Sequence, residues 1–119
     1  MIISLHCPDS GVICYSDTMI QYLASPSNQD SITLQRSRKA GLWIRCEKPT
    51  DEEIDQLVTL GLDADLITDA LDPHEVPRVE QDDAVVYFIT RVPDVGDQFN
   101  SFTTPIMFAI TRDHVITLS

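Results

Sequence analysis

The sequence predicts a layered α/β domain. Three observations carry that prediction. Short segments rich in β-branched residues lie toward both ends of the 119 residues, and two capped amphipathic helices sit together near the middle. Residues 84–92 (Ala-Val-Val-Tyr-Phe-Ile-Thr-Arg-Val) are apolar on both alternating faces for most of their length. That pattern belongs to a central strand covered on both sides. The length fits one domain or part of one, and 43% hydrophobic residues suffice for a real core.

In chain order, residues 2–6 and 12–16 read as short strands around a turn at Pro8-Asp9-Ser10-Gly11. Asp17 is placed to cap a short helix carrying Met19, Ile20 and Leu23 inward. Ser25-Pro26-Ser27-Asn28 is a loop, residues 32–35 a strand, and Ser37-Arg38-Lys39-Ala40-Gly41 a solvated basic loop. Residues 42–46 form a strand with Trp43 as an expected core anchor. Thr50 and Glu53 make a Thr-x-x-Glu capping box that opens a helix. Ile54, Leu57 and Val58 share one face of it, and Gly61 ends it. Asp63 caps a second helix whose apolar face is Leu66, Ile67, Ala70 and Leu71, stopped by Pro73. Residues 102–111 and 114–118 read as an antiparallel pair turning at Arg112-Asp113. The final strand has no helix after it, which predicts an uncovered surface and a chain that is the front part of something longer.

Charge is distributed unevenly. Twelve of the 19 acidic residues fall within residues 51–83 against one basic residue, Arg78, so that stretch carries the whole formal net charge of -11. Such a patch attracts cations and repels nucleic acid and anionic lipid. Asp51, Glu52 and Glu53 suit the positive end of the first helix and need no ligand. In the second helix, Asp65, Asp69 and Asp72 project within roughly 60° of one another. Like charges at this spacing cost about 0.2–0.5 kcal/mol per pair, and Asp72 sits at the negative end of the helix dipole. Two readings stand: a divalent cation held by the three aspartates, or a solvated acidic face tolerating a modest penalty.

Other chemistry is sparse. Cys7, Cys14 and Cys46 make an odd count without close pairing, which predicts reduced thiols in a cytosolic setting. His6, Cys7 and Cys14 lack the fourth ligand a structural zinc site needs, so small buried thiols are expected. His74 beside Glu75 could be a metal ligand, but a lone loop histidine is usually solvated, and that is the expectation here. No Gly-rich phosphate loop, nucleophile elbow or HExxH helix occurs, so no enzyme is expected. The longest apolar runs fall far short of a bilayer helix and the N-terminus does not read as a signal peptide, which predicts a soluble, intracellular piece.

Several segments in order, Trp43-Ile44, then Pro49-Thr50-Asp51-Glu52-Glu53-Ile54, then Leu66-Ile67-Thr68-Asp69-Ala70-Leu71-Asp72, then Pro77-Arg78-Val79-Glu80 leading into residues 85–92, and last the hairpin 108–118, cover about two-thirds of the chain. Together they resemble the cytoplasmic N-terminal domain of the CorA family of magnesium transporters. The resemblance implies a mixed sheet layered with helices, truncated here before a long stalk helix and two membrane helices. It further implies homopentamers at the cytoplasmic face of the membrane, with residues 1–119 as a single cytoplasmic regulatory domain. The family's pore signature Gly-Met-Asn belongs to the membrane part and is absent here. What remains is sensing: the family's cytoplasmic domains bind divalent cations between subunits, and its sensing aspartate matches Asp69, with Asp65 and Asp72 beside it. The implied ion is Mg2+, with Co2+, Ni2+ and Zn2+ as alternatives, and the implied partner is the chain itself. Val76-Pro77-Arg78 replaces a common Arg-Pro-Lys, and Thr68 replaces a frequent acidic residue.

Two other function classes stand beside this one. A stand-alone soluble interaction module would share the fold without the membrane part, and a zinc-exporting relative would share the domain. A metal-dependent hydrolase lacks a placed nucleophile or base.

Overall fold

Burial alternates along residues 42–46, with Leu42, Ile44 and Cys46 buried and Trp43 and Arg45 half-buried between them. This period-two pattern sets the layering of the whole sheet. The computed structural model describes residues 5–6, 20–25, 31–35, 39–94 and 102–119. Their elements are β1 (Leu5–His6), β2 (Ile20–Ala24), β3 (Ile32–Gln35), β4 (Leu42–Cys46), α1 (Asp51–Thr59), α2 (Ala64–Leu71), β5 (Arg78–Asp82), β6 (Val85–Asp94), β7 (Phe102–Ile110) and β8 (His114–Leu118). The described strands form one mixed sheet in the order β1-β3-β2-β4-β8-β7-β6-β5.

Strand register decides which side chains share a face. Ile20 lies opposite Cys46, Ile44 opposite Ile116, Ala109 opposite Ile116, and Met107 opposite both Leu118 and Ile89. Cross-strand partners project to the same side, so these residues line one face. Leu57 of α1 and Leu66, Ile67 and Ala70 of α2 pack on that face and close the core with Tyr87. The opposite face presents Phe88, Ile110 and Val115, each about two-fifths exposed at 40%, 42% and 42%.

Local signals at the helices act as the sequence predicts. Thr50 Oγ1 accepts from the Glu53 N–H at 3.3 Å, and Glu53 Oε2 accepts from the Thr50 N–H at 2.8 Å. At the other end of α1 the Gly61 N–H donates to the Val58 carbonyl and the Leu62 N–H to the Leu57 carbonyl. That is a Schellman closure, and Gly61 adopts the required left-handed conformation at φ +104. Leu62 then buries its side chain. Asp63 caps α2, its Oδ1 accepting from Asp65 N–H and Leu66 N–H at 2.9 and 3.0 Å. The Asp63 N–H donates to the buried Tyr87 hydroxyl at 2.8 Å, fastening the turn between the helices to β6.

Five expectations are corrected. The helix expected after Asp17 is a strand over its described part, since Ile20–Ala24 pairs with both β3 and β4. Two neighbouring ladders satisfy this backbone better than one short helical turn, and tertiary pairing overrides local spacing. β6 is covered on one face only: Val85, Tyr87 and Ile89 are buried, whereas Phe88 is open. β8 is not an uncovered final strand but lies between β4 and β7, with Ile116 and Leu118 fully buried. Trp43 is not in the core cluster; it is half-buried on the face away from the helices, and its indole N–H donates to Thr117 Oγ1 at 2.9 Å. Val58 likewise turns outward from α1. The strand expected at 12–16, the turn at 8–11, Cys7 and Cys14 lie outside the described residues.

Candidate ion site around Asp69

The three aspartates of α2 have separate local roles. Asp65 is exposed in the first turn, where the helix dipole favours a carboxylate. Asp72 is the C-cap with extended backbone, and its Oδ1 accepts from the His74 N–H at 2.9 Å. The acid that helix electrostatics disfavours is thus a turn acceptor, closing Asp72-Pro73-His74 as an Asx turn. Asp69 is half-buried and its Oδ2 contacts Arg78 Nη2 at 2.6 Å.

Arg78 is the centre of this region. β5 runs antiparallel to β6 with Arg78 opposite Ile89, which puts the guanidinium on the helix-covered face beneath the end of α2. Nη2 reaches Asp69, Nη1 reaches Glu75, and Nε reaches Glu80 at 2.7 Å. One fork therefore joins α2, the connection after it, and β5 itself. Its hydrogen bond to Asp69 raises the Arg78 pKa above its ordinary value, with Glu80 and Glu75 adding to the effect and desolvation opposing it. Arg91 of β6 works beside it, donating from Nη1 to the Glu75 carbonyl at 2.8 Å and from Nη2 to the Pro73 carbonyl at 3.0 Å. Its Nε donates to Thr103 Oγ1 at 2.8 Å, so the connection 72–77 is tied to two further strands.

Sequence reasoning singled out Asp69 but missed Arg78, Glu75 and Arg91 as its surroundings. The available signal was that Arg78 is the sole basic residue in 51–83. Pro73 and Pro77 bracket a short return, which brings residue 78 back under the helix it has just left.

Within one chain these residues do not make a closed cation site. Magnesium prefers an octahedron of oxygens and keeps several waters, whereas Asp69 here faces a guanidinium. Among the described residues no three His, Cys, Asp or Glu side chains group as ion ligands. Cys46 is fully buried and its thiol is pushed up to about 12, first by desolvation and then by Glu53 and Glu47. A thiol held protonated is a core side chain rather than a metal ligand. His74 is exposed in the loop, as expected. No helix among the described residues is long and apolar enough to cross a membrane.

Comparison with known proteins follows the same lines. The fold is similar to that of the complete CorA magnesium transporter from Methanocaldococcus jannaschii, with TM-score 0.66 and 21% identity over 84% of this chain and 32% of that one. It is also similar to the soluble domain of CorA from the same organism, with TM-score 0.66 and 22% identity over 88% of this chain and 42% of that one. The chain thus spans well under half the length of either protein. No curated protein sequence matches it. A sequence profile described as CorA-like Mg2+ transporter protein matches residues 38–119, which include β4, both helices and the β5–β8 half of the sheet. With more than half of its residues under that profile, the chain belongs to the CorA-like Mg2+ transporter family.

Proposed function

We propose that this chain is the cytosolic ion-sensing domain of a divalent cation transporter, Mg2+ foremost, and that Asp69 is its sensing carboxylate. The observation that carries the reading is the position of Asp69 at the outer end of α2, with its side chain 44% exposed, inside the segment matched to the family. A half-exposed carboxylate with no group of metal ligands around it among the described residues suits a site completed by a neighbouring copy. Asp65 and Asp72, one helical turn away on either side, reach such an ion through water, in keeping with magnesium's retention of its hydration shell. The copies form a homopentamer at the cytoplasmic face of the membrane, and the membrane-spanning part belongs to a longer polypeptide. An ion shared between copies stabilises one arrangement over another, which is the coupling that regulation requires.

The test is thermal. In the assembled full-length protein Mg2+ raises the melting temperature, and Asp69→Ala removes most of that rise. A rise that survives in the variant takes Asp69 out of the sensor. The 119-residue chain alone gains little stability at micromolar Mg2+, because a shared site is incomplete there; tight calorimetric binding to it contradicts sharing.

The open strip of Phe88, Ile110 and Val115 favours a second reading, a stand-alone interaction module of the same fold. The reading frame after Ser119 separates the two: a stalk helix and membrane spans support the transporter, and a stop supports the module.

A further inference from the structure

We infer that copies of this chain meet head to tail, the basic turn before β4 of one copy entering the acid-rimmed groove between α1 and β2 of the next. The inference rests on the self-assembly proposed above, names the surfaces that meet, and needs no bound ion.

The groove is a step between the helix layer and one wing of the sheet. Ile20 and Tyr22 of β2 form its floor with Leu60 from the end of α1, and Glu52, Asp55 and Thr59 stand along the exposed side of the helix. It encloses about 320 Å3. An apolar floor under a carboxylate rim suits a lysine or arginine, whose carbon stem lies on apolar surface while its charged head meets the acids.

The chain carries such residues on its own surface. Five of its eight Lys and Arg residues fall within 36–48, against twelve acids in 51–83. Lys39 is exposed just before β4, and the Gly41 N–H donates to the Asp113 carbonyl at 2.7 Å, which sets that turn beside exposed Arg112. Asp113 is the one acid in these two turns. Strand register puts the turns and the groove at opposite ends of the sheet. Ile20 lies opposite Cys46, the last residue of β4, whereas Leu42 at its start lies opposite His114. The five residues of β4 between them span roughly 16 Å, so neither cation reaches the groove of its own chain. A contact between two different surfaces is heterologous, and it closes into a ring where the rotation permits. With a net charge of -11, copies repel one another in most other orientations, so this pairing also selects how they meet.

The experiment is sedimentation velocity on the 119-residue chain without divalent ions, at low and high NaCl. The native chain self-associates at low salt and dissociates as salt rises. Glu52→Lys with Asp55→Lys weakens association at least about tenfold, although it brings the net charge nearer zero. Lys39→Glu with Arg112→Glu weakens it as well. All four changes in one chain keep the net charge and restore association, because the swapped surfaces again attract. If Glu52→Lys disturbs the start of α1 by circular dichroism, Asp55→Lys with Thr59→Lys reverses the rim without touching the first turn. A native chain that stays monomeric at low salt overturns the inference. So do folded reversals that leave association intact, or a folded four-residue swap that fails to regain it. Failure here is distinct from failure of the sensing role: a full-length assembly whose melting temperature answers Mg2+ through Asp69 keeps its sensor whatever these variants do.

Discussion

At the scale of single residues, Cys46 and Tyr87 show how burial governs titration. Both have pKa values raised, first by desolvation. For Cys46 the folded value of about 12 lies above the ordinary thiol value of 9.0. A raised value means the folded chain keeps the proton longer than the unfolded chain, so the contribution is complete below the unfolded pKa. It is then lost progressively as pH rises from 9.0 toward about 12. Urea titrations across this window are expected to show stability falling with pH, and Cys46→Ala to flatten part of the slope. A variant with the native slope would show the thiol to be irrelevant. Residue roles were legible in the sequence where partners are neighbours: Thr50 with Glu53 and Asp63 with Leu66 are each three positions apart. Arg78 was not legible as the partner of Asp69, because the pair forms only once β5 has folded back beneath α2.

Elements are held by their ends as much as by their faces. The Schellman closure of α1 depends on Gly61 at φ +104, and a Cβ built there meets nothing within 4 Å. Crowding is therefore absent and the cost of a side chain is backbone strain alone. Gly61→Ala is expected to destabilise by about 1 kcal/mol, read as a lower urea midpoint with unchanged slope. A neutral outcome would mean that the turn can relax. The misread element was β2, where Ile20 and Leu23 are spaced as a helical pair. Both are buried in a strand because β3 and β4 supply hydrogen bonds on either side. Nothing within five residues announces such partners, which is why short apolar segments are ambiguous by period alone.

For the whole molecule, the order of strands matters more than their individual character. The α/β class and the 114–118 strand were readable from patterning, but the place of that strand in the sheet was not, since adjacency depends on contacts far apart in sequence. β8 pairs in parallel with β4 and antiparallel with β7, with Ile116 facing Ile44 and Ala109. Ile116→Ala should therefore cost about 2–5 kcal/mol, as large-to-small changes do in a tight core. Thermal unfolding would register it as a drop of several degrees or more, and a smaller loss than for exposed Val115→Ala would contradict the register.

The same seam has a consequence during synthesis. Until residues 114–118 leave the ribosome, the β2–β4 group and the β5–β7 group share no strand pairing, and β4 and β7 each offer a bare edge. Between the synthesis of β7 and that of β8 the nascent polypeptide therefore carries two unjoined half-sheets, a window in which chaperone capture or pairing with another newborn copy competes with completion.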